Sequence, residues 1–153
     1  TRGAGMPKLP RPLVKAMFGL GVAFYRLVGS RLRVRIRARG VPLLLLTTVG
    51  ARSGKQRTTL LCWFPDGDNA WLVVASFGGS ANHPAWYINM ARNPDKVWIE
   101  LGKRKIKVQP ESLKGAEREE AWRRIVSRSP GYGAYQQKTD REIPVVQLRP
   151  APP

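Results

Sequence analysis

Short apolar runs separated by turn residues most strongly limit how this chain can fold. Each run is short enough for a single strand and is rich in β-branched or aromatic residues. Two turn sequences, Asp66-Gly67-Asp68-Asn69 and Gly102-Lys103, each predict a hairpin between the runs that flank them. The runs are Pro42–Val49, Thr58–Phe64, Trp71–Ser76, Lys96–Leu101, Arg104–Gln109 and Arg141–Leu148. They favour a mostly β fold, an antiparallel barrel with packed helices, over a parallel doubly wound sheet.

Helical periodicity marks the remaining segments. Apolar residues recur at steps of three and four from Pro12 to Val28, which predicts an N-terminal amphipathic helix. His83–Asn93 and Lys114–Ser129 suit two further helices, with Pro84 in the first turn of the former. Residues 1–11 contain glycine, proline and basic residues and are predicted to form a loose tail. At 153 residues the chain has room for one core, and we expect 1–40 to form a basic N-terminal region ahead of a domain over 41–150.

Charge restricts the partners. The chain carries 27 basic and 10 acidic residues, a net charge of +17, and its first carboxylate is Asp66. Such a surface suits nucleic acid, an anionic membrane or a polyanionic small molecule. Basic residues are not interleaved with aromatic ones as in nucleic-acid-binding motifs, so we expect no specific nucleic-acid partner. One cysteine and one histidine exclude an internal disulfide framework and a cysteine-built metal cluster, and we expect no metal.

The N-terminal segment leaves two interpretations open. Its uncharged stretch Ala16–Tyr25 covers ten residues, short of the roughly 20 that span a bilayer. The helix either packs on its own domain or lies in an anionic membrane surface. Arginine then alternates with apolar residues from Arg31 to Arg39, as in a charged edge strand or a phosphate-binding face. Basic residues without a cleavage site follow the stretch, so we expect a cytoplasmic protein, peripheral on the inner membrane face if the helix binds lipid.

Three polar segments are candidate sites. The loop Gly50–Thr59 combines glycines with cations and hydroxyls and suits a phosphate, although it could be an ordinary basic connection. The paired glycines after Ser76 allow close approach of a flat ligand. Tyr132 and Tyr135 lie one helical turn apart and offer two phenols, or simply pack. His83 is interpreted as a helix cap, because no second imidazole is available for a metal.

Together these segments resemble the deazaflavin-dependent nitroreductases and F420H2-dependent quinone reductases. The matching stretches are LLLLTTVGARSGKQRTT, VVASFGG, HPAWYINMARNP and PGYGAYQQKTDREIPVVQL, over roughly residues 41–149. The resemblance implies a split β-barrel that transfers a hydride from reduced coenzyme F420 to a quinone, enone or nitro compound. It also implies a peripheral membrane helix in some members. Two positions depart from the family: Leu60 replaces a common proline, and Phe77 replaces a common Lys or Asn.

The resemblance also assigns residues. The deazaflavin, phosphodiester and glutamate tail of F420 would be held by Arg52, Ser53, Lys55, Arg57, Thr59, Ser76, Phe77, Gly78, Gly79 and Trp86. Tyr132, Tyr135 or Ser76 would stabilise the reduced acceptor or supply its proton. Two alternatives from the same fold stay open at this point. One is an FMN-binding protein, whose ligand has one phosphate and no glutamates, and the other is a non-catalytic module that binds membrane lipid.

Overall fold

The structure is a computed structural model that describes residues 11–31, 37–38 and 40–153. The described helices are α1 (Arg11–Arg31), α2 (Ala85–Arg92), α3 (Gly115–Arg128) and α4 (Gly131–Gln137). The described strands are β1 (Arg37–Ala38), β2 (Val41–Val49), β3 (Gln56–Cys62), β4 (Phe64–Pro65), β5 (Trp71–Val74), β6 (Trp98–Leu101), β7 (Arg104–Ser112) and β8 (Val145–Pro150).

All described strand pairs are antiparallel, and the sheet curls into a half-barrel. The strand order is β1-β2-β6-β7-β8-β5-β4, with β3 also paired to β2. This confirms the mostly antiparallel architecture with packed helices. The hairpin at Gly102-Lys103 is confirmed as β6–β7, and the helices expected over 83–93 and 114–129 are confirmed as α2 and α3.

The core has two parts because the central strands bury both of their faces. Val73 of β5 packs with Leu46, Ile99 and other strand residues in a first cluster. Its neighbour Leu72 points to the opposite face, as the period of two in a strand requires, and packs in a second cluster with Ile125 of α3. The sheet is therefore covered on one face by α3 and closes around the first cluster on the other.

The hairpin expected between residues 58–64 and 71–76 is wrong for most of its length. β3 pairs with β2, placing Leu46 opposite Thr59, and only Phe64–Pro65 pairs with β5. Trp63 leaves the ladder and donates its N–H to the Pro42 carbonyl at 3.0 Å, which separates β3 from β4. β8 begins at Val145, four residues later than expected, because the preceding residues make contacts with α4 and the turn after β5.

Helix α1 confirms the N-terminal helix, and it packs on the barrel through one face. The Tyr25 hydroxyl accepts the Gly102 N–H at 3.0 Å and lies 3.2 Å from the carbonyl oxygens of Leu43 and Glu100. Arg26 forms a bidentate pair with the Glu100 carboxylate at 3.0 and 3.2 Å. Of the alternating arginine segment, Arg37–Ala38 is a strand and Arg31 ends α1, whereas residues 32–36 and 39 lie outside the described residues. Residues 1–10 of the expected tail also lie outside them, and its last residue, Arg11, instead begins α1.

Candidate active site

The loop between β2 and β3 is a tight, self-bonded turn. The Gly50 N–H donates to the Lys55 carbonyl at 2.8 Å, and the Gly54 N–H donates to the Gly50 carbonyl at 2.9 Å. A side chain at position 50 would collide with the Ser53 hydroxyl, and Gly54 has a φ of +68°, a value that favours glycine. The backbone conformation therefore favours glycine at position 54, and a side chain at position 50 would require Ser53 to move.

A buried asparagine of α2 is hydrogen-bonded to this loop and to the end of β2. Asn89, 8% exposed, accepts the Ala51 N–H at 3.0 Å and donates to the Thr48 hydroxyl at 3.4 Å. One turn later, Asn93 donates to the Val49 carbonyl at 3.4 Å. Asn89 was not among the predicted site residues. Its sequence position could have indicated this role, because Asn89 shares the apolar face of a predicted helix with Trp86 and Met90. A polar side chain buried on such a face needs hydrogen-bond partners.

The cations of the loop have no acidic partners in the described part of the chain. Arg52, Lys55 and Arg57 are exposed, and no described carboxylate forms an ion pair with any of them. Ser53 accepts the Lys55 N–H at 3.2 Å, and Thr59 is half-buried within the ladder. Three uncompensated cations within six residues suit a ligand with several negative charges.

The turn after β5 has an uncommon backbone. Phe77 has a φ of +44°, the only positive value of a non-glycine residue among those described, and its side chain is 60% exposed. Gly79, with a φ of +80°, lies against α4, where an added Cβ would be 2.8 Å from the Tyr135 carbonyl oxygen. At Gly79, then, the close approach is made by α4 and not by a ligand. Gly78 is exposed, with nothing within 4 Å of an added Cβ.

One arginine organises the inner side of this turn. The Arg141 guanidinium donates to the carbonyls of Ala75 at 3.2 Å, of Ser76 at 2.9 Å and of Ser80 at 2.9 Å. Burial lowers its pKa below the ordinary value. Sequence reasoning missed Arg141, because all of these partners lie 61 to 66 residues away in the chain and no local pattern connects them.

His83 does not cap α2, contrary to the sequence interpretation. The N-cap is Pro84, and no side chain bonds to that helix end. His83 Nδ1 lies 3.1 Å from Arg141 Nη1, and a guanidinium only donates, so Nδ1 is the acceptor and the proton of the neutral ring is on Nε2. Partial burial, followed by the charge of Arg141, lowers the pKa of His83.

The two tyrosines of α4 are in different surroundings. Their rings meet edge-on with centroids 5.8 Å apart, which confirms that they are neighbours on one helical turn. Tyr132 also meets the Phe64 ring edge-on at 5.8 Å between centroids, and burial, followed by the nearby Cys62 thiol, raises the pKa of Tyr132 far above its ordinary value. Tyr135 is half-buried, with the Lys138 ammonium 5.7 Å from its ring centre. Tyr132 is thus packed against another ring, whereas Tyr135 lies beside a cation.

The remaining predicted residues lie inside the protein. Trp86 is 8% exposed and packs in the first core cluster, so its place beside a ligand stays a prediction with little ring surface to support it. Ser76 is 9% exposed and gives its carbonyl to Arg141. The predicted segments are linked in pairs, the loop to α2 through Asn89 and the turn to α4 at Gly79.

Two large cavities lie away from the predicted site residues. Cavities of about 580 and 510 Å³ flank the β4–β5 turn and α3, and they are lined by none of the predicted site residues. In residues 11–31, 37–38 and 40–153, no group of three or more His, Cys, Asp or Glu side chains could hold a metal ion. Within the same residues no helix is long and apolar enough to cross a membrane. The candidate site is thus marked by its charges and its backbone.

Comparison with known proteins places the chain among related sequences. The family model described as F420H(2)-dependent quinone reductase matches residues 19–150. The F420H(2)-dependent quinone reductase Rv1261c of Mycobacterium tuberculosis is 39% identical over 129 residues, covering 82% of this chain and 85% of that protein.

Two solved structures are also similar. An F420-H2 dependent reductase (FDR-A) has a TM-score of 0.64 and 38% identity, covering 76% of this chain and 99% of the other. A second, described as a domain-swapped dimer, has a TM-score of 0.66 and 34% identity, covering 90% of this chain and 99% of the other. The half-barrel is the split-barrel-like fold of these reductases, and the chain belongs to the F420H(2)-dependent quinone reductase family.

Proposed function

We propose that this protein reduces a quinone with a hydride from reduced coenzyme F420. The observation that carries the proposal is the set of three exposed cations in the β2–β3 loop, Arg52, Lys55 and Arg57, which have no described acidic partner. Asn89 of α2 holds this loop, and Tyr87 of the same helix packs on the His83 ring. His83 in turn lies against Arg141, which bonds the Ser76 carbonyl at the turn after β5. A cofactor with an anionic tail and a flat ring system matches a basic loop at one end and an open turn at the other.

The residues present fit this cofactor. The loop cations and the Ser53 hydroxyl would hold the phosphate and the glutamates through charge-assisted hydrogen bonds. The open backbone at Gly78 would face the deazaflavin, with Phe77 providing exposed apolar surface beside it. When bound, the reduced deazaflavin supplies the hydride, while the protein supplies position and excludes water.

Reduction of a quinone by a hydride leaves an anionic oxygen that must gain a proton. An ordinary phenol, with a pKa of about 10, stays protonated at neutral pH and can donate. We propose Tyr135 as the donor, since burial raises the pKa of Tyr132 far above its ordinary value and its ring packs edge-on against Phe64. Ser76 is the remaining candidate, although only 9% of it is exposed. Enones and nitro compounds develop similar negative charge and are secondary acceptors of the same chemistry.

Equilibrium titration tests the cofactor assignment. Purified protein is titrated in parallel with oxidised F420 and with FMN at two salt concentrations. We expect F420 to bind more tightly, with an affinity that falls as salt rises, because the exposed loop cations are screened. Saturation by FMN at concentrations where F420 does not bind would instead support an FMN-binding protein.

We also propose that α1 holds the enzyme on the inner face of the cytoplasmic membrane. The side of α1 away from Tyr25 carries an exposed apolar stripe whose members recur at three- and four-residue steps. Leu20 is 72% exposed and Phe24 is 61% exposed. Surrounding positive charge suits anionic lipid. The stripe is Ala16, Gly19, Leu20, Ala23, Phe24 and Leu27.

Vesicle flotation tests the membrane proposal. The double variant Leu20→Ser/Phe24→Ser should lose binding to anionic vesicles, whereas Ile88→Ser, at another exposed apolar residue (51% exposed), should keep it. Equal flotation of both variants and the parent protein would contradict the proposal.

A further inference from the structure

We propose that Arg141 is a positioning residue that shapes the cofactor-facing turn at Ser76–Ser80 and thereby sets affinity for the deazaflavin head. The inference rests on the proposed function, because it assigns that turn to the head of F420. It concerns a residue outside both the basic loop and the tyrosine pair.

The guanidinium of Arg141 uses its full donor set. Nε donates to Ser80, one Nη to Ala75 and His83, and the other Nη to Ala75 and Ser76, at 2.9 to 3.2 Å. All five N–H groups are thus engaged, on three carbonyl oxygens and one imidazole nitrogen. Lysine offers three donors from a single point and cannot reproduce this planar fork. The site is therefore specific for arginine.

The turn needs such support because its backbone is strained. A non-glycine residue with positive φ is strained, and it persists when its surroundings over-determine it. Phe77 has this conformation, with a φ of +44°. Helix α4 constrains one side of the turn at Gly79, and Arg141 holds the carbonyls on both flanks of Phe77.

The same contacts determine which polar groups the turn offers to a ligand. Its carbonyls at Ala75, Ser76 and Ser80 are occupied by Arg141. The N–H groups of Gly79 and Ser80 donate within the turn, to Ser76 and Phe77. The N–H groups of Phe77 and Gly78 have no acceptor in the part of the chain that the structure describes. The turn consequently presents donors, which suit the carbonyl oxygens of a deazaflavin head.

Arg141 is itself held in place by Gln136 of α4. Gln136 Nε2 donates to the Arg141 carbonyl at 2.7 Å, and its Oε1 accepts the Ile143 N–H at 2.9 Å. Helix α4, Arg141 and the turn form one bonded unit, which also carries Tyr135. A change at Arg141 should therefore alter the head-binding end of the site and leave the β2–β3 loop unchanged.

The test compares Arg141→Lys with a matched control, Arg128→Lys, at an exposed arginine of α3. Two ligands are titrated by fluorescence: oxidised F420 and its deazaflavin riboside, which lacks the phosphate and the glutamates. Thermal unfolding of the ligand-free variants establishes that each is folded at the assay temperature. We expect R141K to weaken both ligands by the same factor, about tenfold or more, and R128K to weaken neither.

The outcomes separate the two proposals. If the parent protein binds neither ligand, the proposed function fails. If the parent binds F420 and a folded R141K binds both ligands equally well, the role of Arg141 is wrong. A purely structural role would lower the unfolding temperature without changing either affinity, and this also overturns the inference. If R141K does not fold, His83→Ala decides, since removal of one acceptor should weaken both ligands by the same smaller factor and unchanged affinities contradict the role.

Discussion

At the residue scale, the two tyrosines of α4 should separate in their effects. Tyr135→Phe should lower quinone turnover about 10- to 100-fold while F420 affinity is kept, because the loss is that of one positioned proton donor. Tyr132→Phe should change turnover less, since burial raises the pKa of Tyr132 and makes its hydroxyl the poorer proton donor. Steady-state kinetics with saturating reduced F420 measures both variants. The assignment is wrong if Y132F is the slower enzyme or if both retain full turnover.

His83 gives a pH dependence whose sign follows from its surroundings. Its pKa in the folded protein is lowered from about 6.5, first by partial burial and then by the Arg141 charge 3.1 Å away. Protonation therefore favours the unfolded chain. The stabilisation is complete above pH 6.5 and is lost as pH falls through the folded value.

Urea unfolding between pH 7.5 and pH 5 checks this prediction. The free energy of unfolding should fall toward pH 5 in the parent protein and should fall less in His83→Gln, which cannot be protonated. The Tyr87 ring packs on that of His83, with centroids 4.9 Å apart, and is the same in both proteins. Identical pH profiles of the two proteins would show that His83 does not contribute.

At the element scale, the β2–β3 loop should bind ligand without stabilising the fold. Each of Arg52→Gln, Lys55→Gln and Arg57→Gln should weaken F420 up to about fivefold, since exposed ion pairs contribute roughly 1 kcal/mol or less. None should lower the unfolding temperature, because no described carboxylate pairs with these cations. Arg123→Gln, which breaks an exposed pair with Glu120 on α3, is the control and should leave affinity unchanged. Unchanged affinity in a triple loop variant would remove the loop from the site.

Helix α3 is expected to contribute stability and not chemistry. Ile125 is fully buried against Leu72 of the sheet, so Ile125→Ala should cost about 2–5 kcal/mol of unfolding free energy. Ile88→Ala on the exposed side of α2 should cost far less. Denaturant unfolding compares the two. Similar losses would mean that α3 does not cover the sheet as described.

The sequence predicts those elements that are fixed by local pattern and misses those fixed by distant contacts. α2, α3 and the Gly102-Lys103 turn carry their signals within a few residues. The pairing of β3 with β2 rather than with β5 was missed, since both partners are short apolar strands and the choice depends on how the loop at Gly50–Lys55 closes. At the site, the basic loop was readable from composition, whereas the role of Arg141 exists only after folding joins residues 75–83 to residue 141.

At the scale of the whole molecule, charge and fold have separate roles. The half-barrel buries an apolar cluster on each face of the sheet. A net charge of +17 instead repels itself within the compact chain and is compensated when anions bind. The unpaired loop cations and the exposed stripe of α1 place the proposed cofactor and the proposed membrane contact on surfaces that the core leaves free.

The most direct measurement is quinone-dependent reoxidation of the reduced cofactor. Protein and reduced F420 are mixed anaerobically, a soluble quinone is added, and the absorbance of oxidised F420 is followed. We expect rapid recovery that requires both the protein and the quinone and that is slower in Tyr135→Phe. Recovery no faster than in the protein-free control, from a folded protein saturated with reduced F420, would contradict the proposed function.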